Sequence, residues 1–147
     1  MFMKKLKFIL SVICSIYFYS SYSQQIDLTI ADIRNSKGNL VMGIYKDQDS
    51  FEKETPYMNL TWPKSGKVIN GVFKITFSVP PGTYGLSLLD DETPNNKMDY
   101  TWYSFPQEGF GFSNYYHKGW SKPKLSSFLI QVLQGKTTVA SIKMRYM

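Results

Sequence analysis

Apolar residues recur at every second position along most of this chain. Ile26, Leu28 and Ile30 alternate with Asp27 and Thr29, and Leu40, Met42 and Ile44 follow beyond a polar turn at Ser36-Lys37-Gly38-Asn39. Phe73, Ile75, Phe77 and Val79 alternate with Lys74, Thr76 and Ser78 until Pro80-Pro81-Gly82, after which Tyr84, Leu86 and Leu88 resume the period. Phe128, Ile130 and Val132 form a further run; past a turn at Gln134-Gly135-Lys136, Thr138, Ala140, Ile142, Met144 and Tyr146 form the last. A period of two marks half-buried strands, and a sustained helical stripe is missing beyond the first residues. Six strands follow from this pattern. A seventh is expected at Lys67 to Ile69, ahead of Asn70-Gly71, a dipeptide suited to a tight hairpin. The Pro-Pro-Gly corner is expected to reverse the chain between two half-buried strands. Short alternating strands with Gly and Pro turns predict an all-β fold, an antiparallel sandwich of about seven strands forming one domain over residues 24–147.

The first residues change the picture of compartment and charge. Lys4, Lys5 and Lys7 precede an apolar stretch from Phe8 to Phe18, and the small residues Ser21 and Ser23 stand before Gln24. This three-part plan predicts a signal peptide over residues 1–23 and an exported protein, periplasmic or extracellular. The apolar run is about half of the roughly 20 residues that a membrane span needs, so no span is expected after cleavage. Ile13 before Cys14 is not the small residue that a lipid anchor requires. Cleavage would remove three of the 17 basic residues and none of the 11 acidic ones, lowering the net charge from +6 to +3. A balance this mild, with Lys scattered along the chain, gives no footprint for nucleic acid. The single Cys leaves with the leader, so disulfides, thiol nucleophiles and thiolate metal sites are excluded from residues 24–147.

Two long insertions interrupt the strand rhythm, Asp47 to Ser65 and Asp91 to about Lys124. Loops of this length are usually functional or disordered. Disordered segments are poor in aromatics, whereas residues 91–120 carry nine rings: Tyr100, Trp102, Tyr103, Phe105, Phe110, Phe112, Tyr115, Tyr116 and Trp120. An ordered aromatic loop is the expectation, and candidate chemistry concentrates there.

Asp91, Thr93, Asn95, Lys97 and Asp99 have the odd-numbered spacing with which a calcium loop turns its oxygens towards one centre, Lys97 contributing its backbone carbonyl. Asn96 suits the left-handed backbone such loops need. Trp102 stands where an EF-hand closes with a bidentate Glu, leaving Glu108 as the nearest downstream carboxylate. The alternative is an Asx-rich turn whose side chains bond their own backbone. Asp99 and Glu108 are also a candidate acid and base pair for a hydrolase acting on carbohydrate. His117 is the only histidine, too few for a zinc site, and is expected to be a loop residue with a hydrogen-bond partner. In Gln107-Glu108-Gly109-Phe110-Gly111-Phe112-Ser113-Asn114 glycines alternate with rings, so Phe110 and Phe112 point the same way, either to bind a ligand or to plug the open end of the sandwich. Glu108, Asn114, Tyr115, Tyr116 and Trp120 are the candidate ligand-binding residues.

Asp91-Glu92, Asn95, Lys97 and Asp99, followed by Pro106-x-Glu108-Gly109-x-Gly111-Phe112-Ser113-Asn114, resemble the signature of the exported bacterial family known as domain of unknown function 2141. The likeness extends to the Pro-Pro-Gly-x-Tyr corner and to Pro123, and covers essentially all of residues 24–147. It implies a signal peptide and an immunoglobulin-like or transthyretin-like sandwich, and supplies no activity. Two positions depart from the family pattern: Thr93 stands where it has Asn, and Ser104 where it has Gly. Residues and resemblance together leave three functional expectations. The first is a binding or surface-interaction module using residues 91–120, stabilised by calcium or needing no cofactor, with a cell-surface glycan or envelope protein as partner. The others are the carbohydrate hydrolase and a purely structural envelope domain.

Overall fold

The computed structural model describes residues 24–102 and 104–147. The signal peptide expected at 1–23, and Tyr103 of the aromatic loop, lie outside the described residues. Eight strands are formed: β1 (Gln25–Ala31), β2 (Asn39–Tyr45), β3 (Met58–Pro63), β4 (Phe73–Phe77), β5 (Gly82–Asp91), β6 (Gly109–Phe112), β7 (Leu129–Val132) and β8 (Thr137–Lys143). One sheet has the order β4-β1-β8; the other runs β3-β2-β5, with β6 and β7 sharing the outer side of β5. Every pair is antiparallel except β1 with β8.

The alternation read from the sequence builds the core. Ile26, Leu28, Ile30, Phe73, Ala140 and Ile142 of one sheet meet Leu40, Met42, Ile44, Tyr84, Leu86, Leu88, Ile130 and Val132 of the other, all buried in one cluster. Each large side chain so buried is worth about 1.5–3 kcal/mol, and this shared core makes the two sheets a sandwich.

Three expectations about individual elements need correction. The seventh strand at Lys67 to Ile69 does not form. Asn70 and Gly71 do turn the chain, with φ of 51° and 74°, but only Ile69 and Val72 pair across them. The Pro-Pro-Gly corner carries the chain from one sheet to the other, since β4 and β5 lie in different sheets. Pro80 and Pro81 lack the N–H groups that a ladder needs, buried Val79 carries the chain across, and the Tyr84 hydroxyl donates to the Pro80 carbonyl at 2.8 Å to hold the bend. The first insertion contains β3 and a short helix, Gln48–Glu52, whose cap Asp47 accepts from the Ser50 N–H at 2.8 Å. The second contains β6.

The pattern Gly-Phe-Gly-Phe in β6 has a different cause from an end plug. Gly109 and Gly111 face inward, where a Cβ would stand 2.3 Å from the Tyr146 ring and 2.4 Å from Ile142. Phe110 and Phe112 face outward and join a second cluster, Tyr45, Phe51, Leu125 and Phe128, on the outer face of the larger sheet. Phe112 and Phe128 ring centroids are 4.8 Å apart, and Phe51 meets Phe128 edge-on at 5.2 Å. Where β5 passes from β6 to β7, buried Ser113 fills the gap in the ladder. Its N–H donates to Leu86 O and its hydroxyl accepts from Leu86 N, both at 3.0 Å, while donating to Phe128 O at 2.5 Å.

Candidate functional site

The strand ends β2, β5 and β6 meet the tail of β8 at one end of the sandwich. Asp90 is the last inward-facing residue of β5, paired in register with Leu40 and Gly109. Because Gly109 has no side chain, the Tyr146 ring lies over it, and the Tyr146 hydroxyl donates to Asp90 Oδ2 at 2.6 Å. Lys64, just after β3, points inward, and its Nζ contacts Asp90 Oδ1; both side chains are fully buried. Asn35 Oδ1 is a second acceptor for Nζ at 3.4 Å. Burial, and then the hydrogen bond to Asp90, push the Tyr146 phenol far above its ordinary range.

Arg34 extends this network outward. Its N–H donates to the Tyr146 oxygen at 3.1 Å, its guanidinium lies 4.6 Å from the Tyr146 ring centroid, and Nε donates to Glu92 Oε1 at 2.5 Å. The hydrogen bond from Arg34 holds the Glu92 carboxyl below its ordinary 4.5. Nη2 of Arg34 reaches the Gln107 carbonyl at 3.1 Å and so ties the β1–β2 connection to the aromatic loop.

In that loop the carboxylates turn towards N–H groups. Glu108 is 3% exposed; its Oε1 accepts from Glu92 N at 2.9 Å and Thr93 N at 3.2 Å, and its Oε2 from Asp99 N at 3.2 Å. Buried Asp91 accepts from Asn95 N at 3.2 Å and Asn96 N at 2.8 Å, one oxygen each. Asp99 accepts from the Thr93 hydroxyl at 2.5 Å and from Asn95 Nδ2 at 2.9 Å, and these two bonds, Thr93 first, hold its carboxyl low. Asn95 Oδ1 accepts from Lys97 N at 2.8 Å. The odd-numbered spacing therefore yields the Asx-turn geometry, with Asn96 at φ 59°. Among the described residues, no group of three or more His, Cys, Asp or Glu is placed to hold a metal ion.

Above this base, residues 99–101 pair back with residues 105–107 as the two arms of a hairpin. Gln107 N donates to Asp99 O and Thr101 N to Phe105 O, each at 2.8 Å, and Tyr100 pairs with Pro106. Ser104, just before the second arm, has φ 65°, the conformation that Gly adopts most easily. Rings are exposed here: Trp102 is 93% and Trp120 78% exposed, with Tyr100 and Phe105 also exposed. Phe105 and Trp120 meet edge-on with centroids 5.6 Å apart, which places the 113–121 connection beside the hairpin.

The other candidates separate. Asn114 is exposed but occupied: its Oδ1 accepts from Ser141 N at 2.9 Å and its N–H donates to Ser141 O at 2.7 Å. Tyr115 is half-buried, with its hydroxyl 3.4 Å from His117 Nδ1. His117 Nε2 donates to Ser121 O at 2.6 Å, so the histidine is a loop residue with hydrogen-bond partners. Tyr116 is exposed, with Lys143 Nζ 5.5 Å from its ring. Sequence reasoning missed Arg34, Asn35, Lys64 and Asp90. Only Asp90 carried a signal, an acid in the inward phase of Leu86 and Leu88.

Among the described residues no helix is long and apolar enough to cross a membrane. No curated protein and no solved structure matches the chain. The model of one family, described as an uncharacterized protein conserved in bacteria, matches residues 28–140, from β1 into β8. The chain therefore belongs to the DUF2141 family.

Proposed function

We propose that this protein is an exported, non-enzymatic binding module that holds bacterial surface glycan on the aromatic hairpin and the adjoining Trp120. The observation that carries this reading is the exposure of Trp102 and Trp120, 93% and 78%, the first on a loop hydrogen-bonded down to buried Glu108 and the second next to Gly119, whose carbonyl accepts from Arg145 at 2.8 Å. Exposed rings on a fixed base stack against the apolar faces of sugar rings with little loss of conformational freedom. Thr101, Ser104 and Gln107 stand near Trp102 in the sequence and carry hydroxyl and amide groups of the kind that meet sugar hydroxyls. The hydrolase reading loses support because Glu108 is buried and its oxygens are taken by three backbone N–H groups, which leaves it no path to a substrate. Export rests on the three-part leader in residues 1–23.

The test is sedimentation of the purified protein with peptidoglycan sacculi and with insoluble neutral polysaccharides, alongside tryptophan fluorescence. Wild type should co-sediment and its emission should shift, while Trp102→Ala and Trp120→Ala should weaken binding at least tenfold and leave the fold intact. Retention by neither material, or equal retention of both variants, overturns the reading.

A further inference from the structure

The fully buried contact between Lys64 and Asp90 poses a problem of donors. A lysine ammonium has three N–H donors and no acceptor. Around Lys64 Nζ stand two acceptors, Asp90 Oδ1 and Asn35 Oδ1, the second at 3.4 Å, the outer limit of a hydrogen bond. A buried charge whose donors are incompletely matched is costly, even beside an opposite charge. An amide at the same place needs less. Its nitrogen has one hydrogen, for which Asn35 Oδ1 is the acceptor, and its carbonyl oxygen has the Tyr146 hydroxyl already aimed at it from 2.6 Å.

We propose that Lys64 and Asp90 join in an intramolecular isopeptide bond between Lys64 Nζ and Asp90 Cγ, formed by the folded chain itself. The ammonium passes one proton to Asp90 Oδ1 across their contact, giving neutral amine and neutral acid. The nitrogen lone pair attacks Cγ, and the negative charge that develops on Oδ2 is met by the Tyr146 hydroxyl, which the Arg34 N–H holds in place at 3.1 Å. A second proton moves from nitrogen to Oδ1, the Cγ–Oδ1 bond breaks, and one water leaves. No oxidant, nucleotide or metal is consumed. Folding supplies the encounter by fixing amine and acid together with water excluded. The link would tie the end of β3 to the end of β5 directly beneath the aromatic loop.

Mass spectrometry of the denatured full-length protein, whole and after trypsin, tests the proposal. The expected result is a chain lighter by one water than its sequence requires. Trypsin should fail to cut after Lys64 and should release residues 54–67 joined to residues 75–97, with fragment ions placing the link at Lys64 and Asp90. Lys64→Arg should regain the full mass, and the wild-type result stands whether or not that variant folds. A full-mass wild type cleaved normally after Lys64 overturns the proposal. So does a dehydrated 75–97 peptide travelling alone, which would be a succinimide. Loss of ammonia with a link to Asn35 overturns Asp90 as the acceptor.

Discussion

The carboxylate of Glu108 accepts a hydrogen bond from the backbone N–H of Glu92 at 2.9 Å, joining residues sixteen apart across the mouth of the aromatic loop. The same carboxylate takes the N–H groups of Thr93 and Asp99, so one buried side chain gathers both limbs of residues 92–108. Removing it leaves three donors without their acceptor, at about 1–3 kcal/mol for each buried one that water fails to reach. Glu108→Ala is expected to lower stability by about 3 kcal/mol in urea denaturation, with Glu108→Gln about half as damaging because one acceptor oxygen remains.

Calcium should not matter. Asp91 and Glu108 turn their oxygens to backbone N–H groups, and among the described residues no three carboxylates gather around one centre. Thermal melts in calcium and in chelator are expected to superimpose; an ion bound at a hundred times its dissociation constant would instead add about 2.7 kcal/mol.

The β6 glycines give a steric prediction. A Cβ at Gly111 would stand 2.4 Å from Ile142 Cγ2 and 3.0 Å from the Lys143 carbonyl, and the second of these is backbone that cannot swing aside. Gly111→Val should cost about 2–3 kcal/mol as an overpacked site, read from the same denaturation curves.

Acid should loosen the polar end in a defined order. The Arg34 hydrogen bond lowers the Glu92 carboxyl below 4.5, so its contribution is complete above that pH and is lost as pH falls through the lower folded value. Stability measured downward from pH 6 should therefore drop more steeply in wild type than in Glu92→Gln below about pH 4.5.

The sandwich was legible because its two faces differ in polarity: every inward residue from Ile26 to Ile30, Leu40 to Ile44 and Leu86 to Leu88 sits in the core that the period of two assigns to it. β3 obeys the same rule weakly, since Met58, Leu60 and Trp62 on an edge strand are only half-buried. β6 defeats it, because Gly111 occupies an inward position as an absence of side chain, which period-two reading scores as a turn. At the site, sequence singled out the loop with Asp91, Asp99 and Glu108, but spacing alone does not say whether a carboxylate faces a cation or an N–H. Lys64 was invisible for a related reason. A lysine after a proline reads as surface, and only the tertiary encounter with Asp90 draws it inside.

The central claim is that buried carboxylates hold the aromatic loop in one shape. Amide hydrogen exchange of the folded protein in calcium-free buffer tests it most directly at Glu92, Thr93, Asn95, Asn96 and Asp99, whose N–H groups bond to Glu108 or Asp91. Protection comparable to that of the β5 amides is the predicted result. Exchange of these five amides at the rate of an unstructured peptide, while β5 stays protected, would contradict the account.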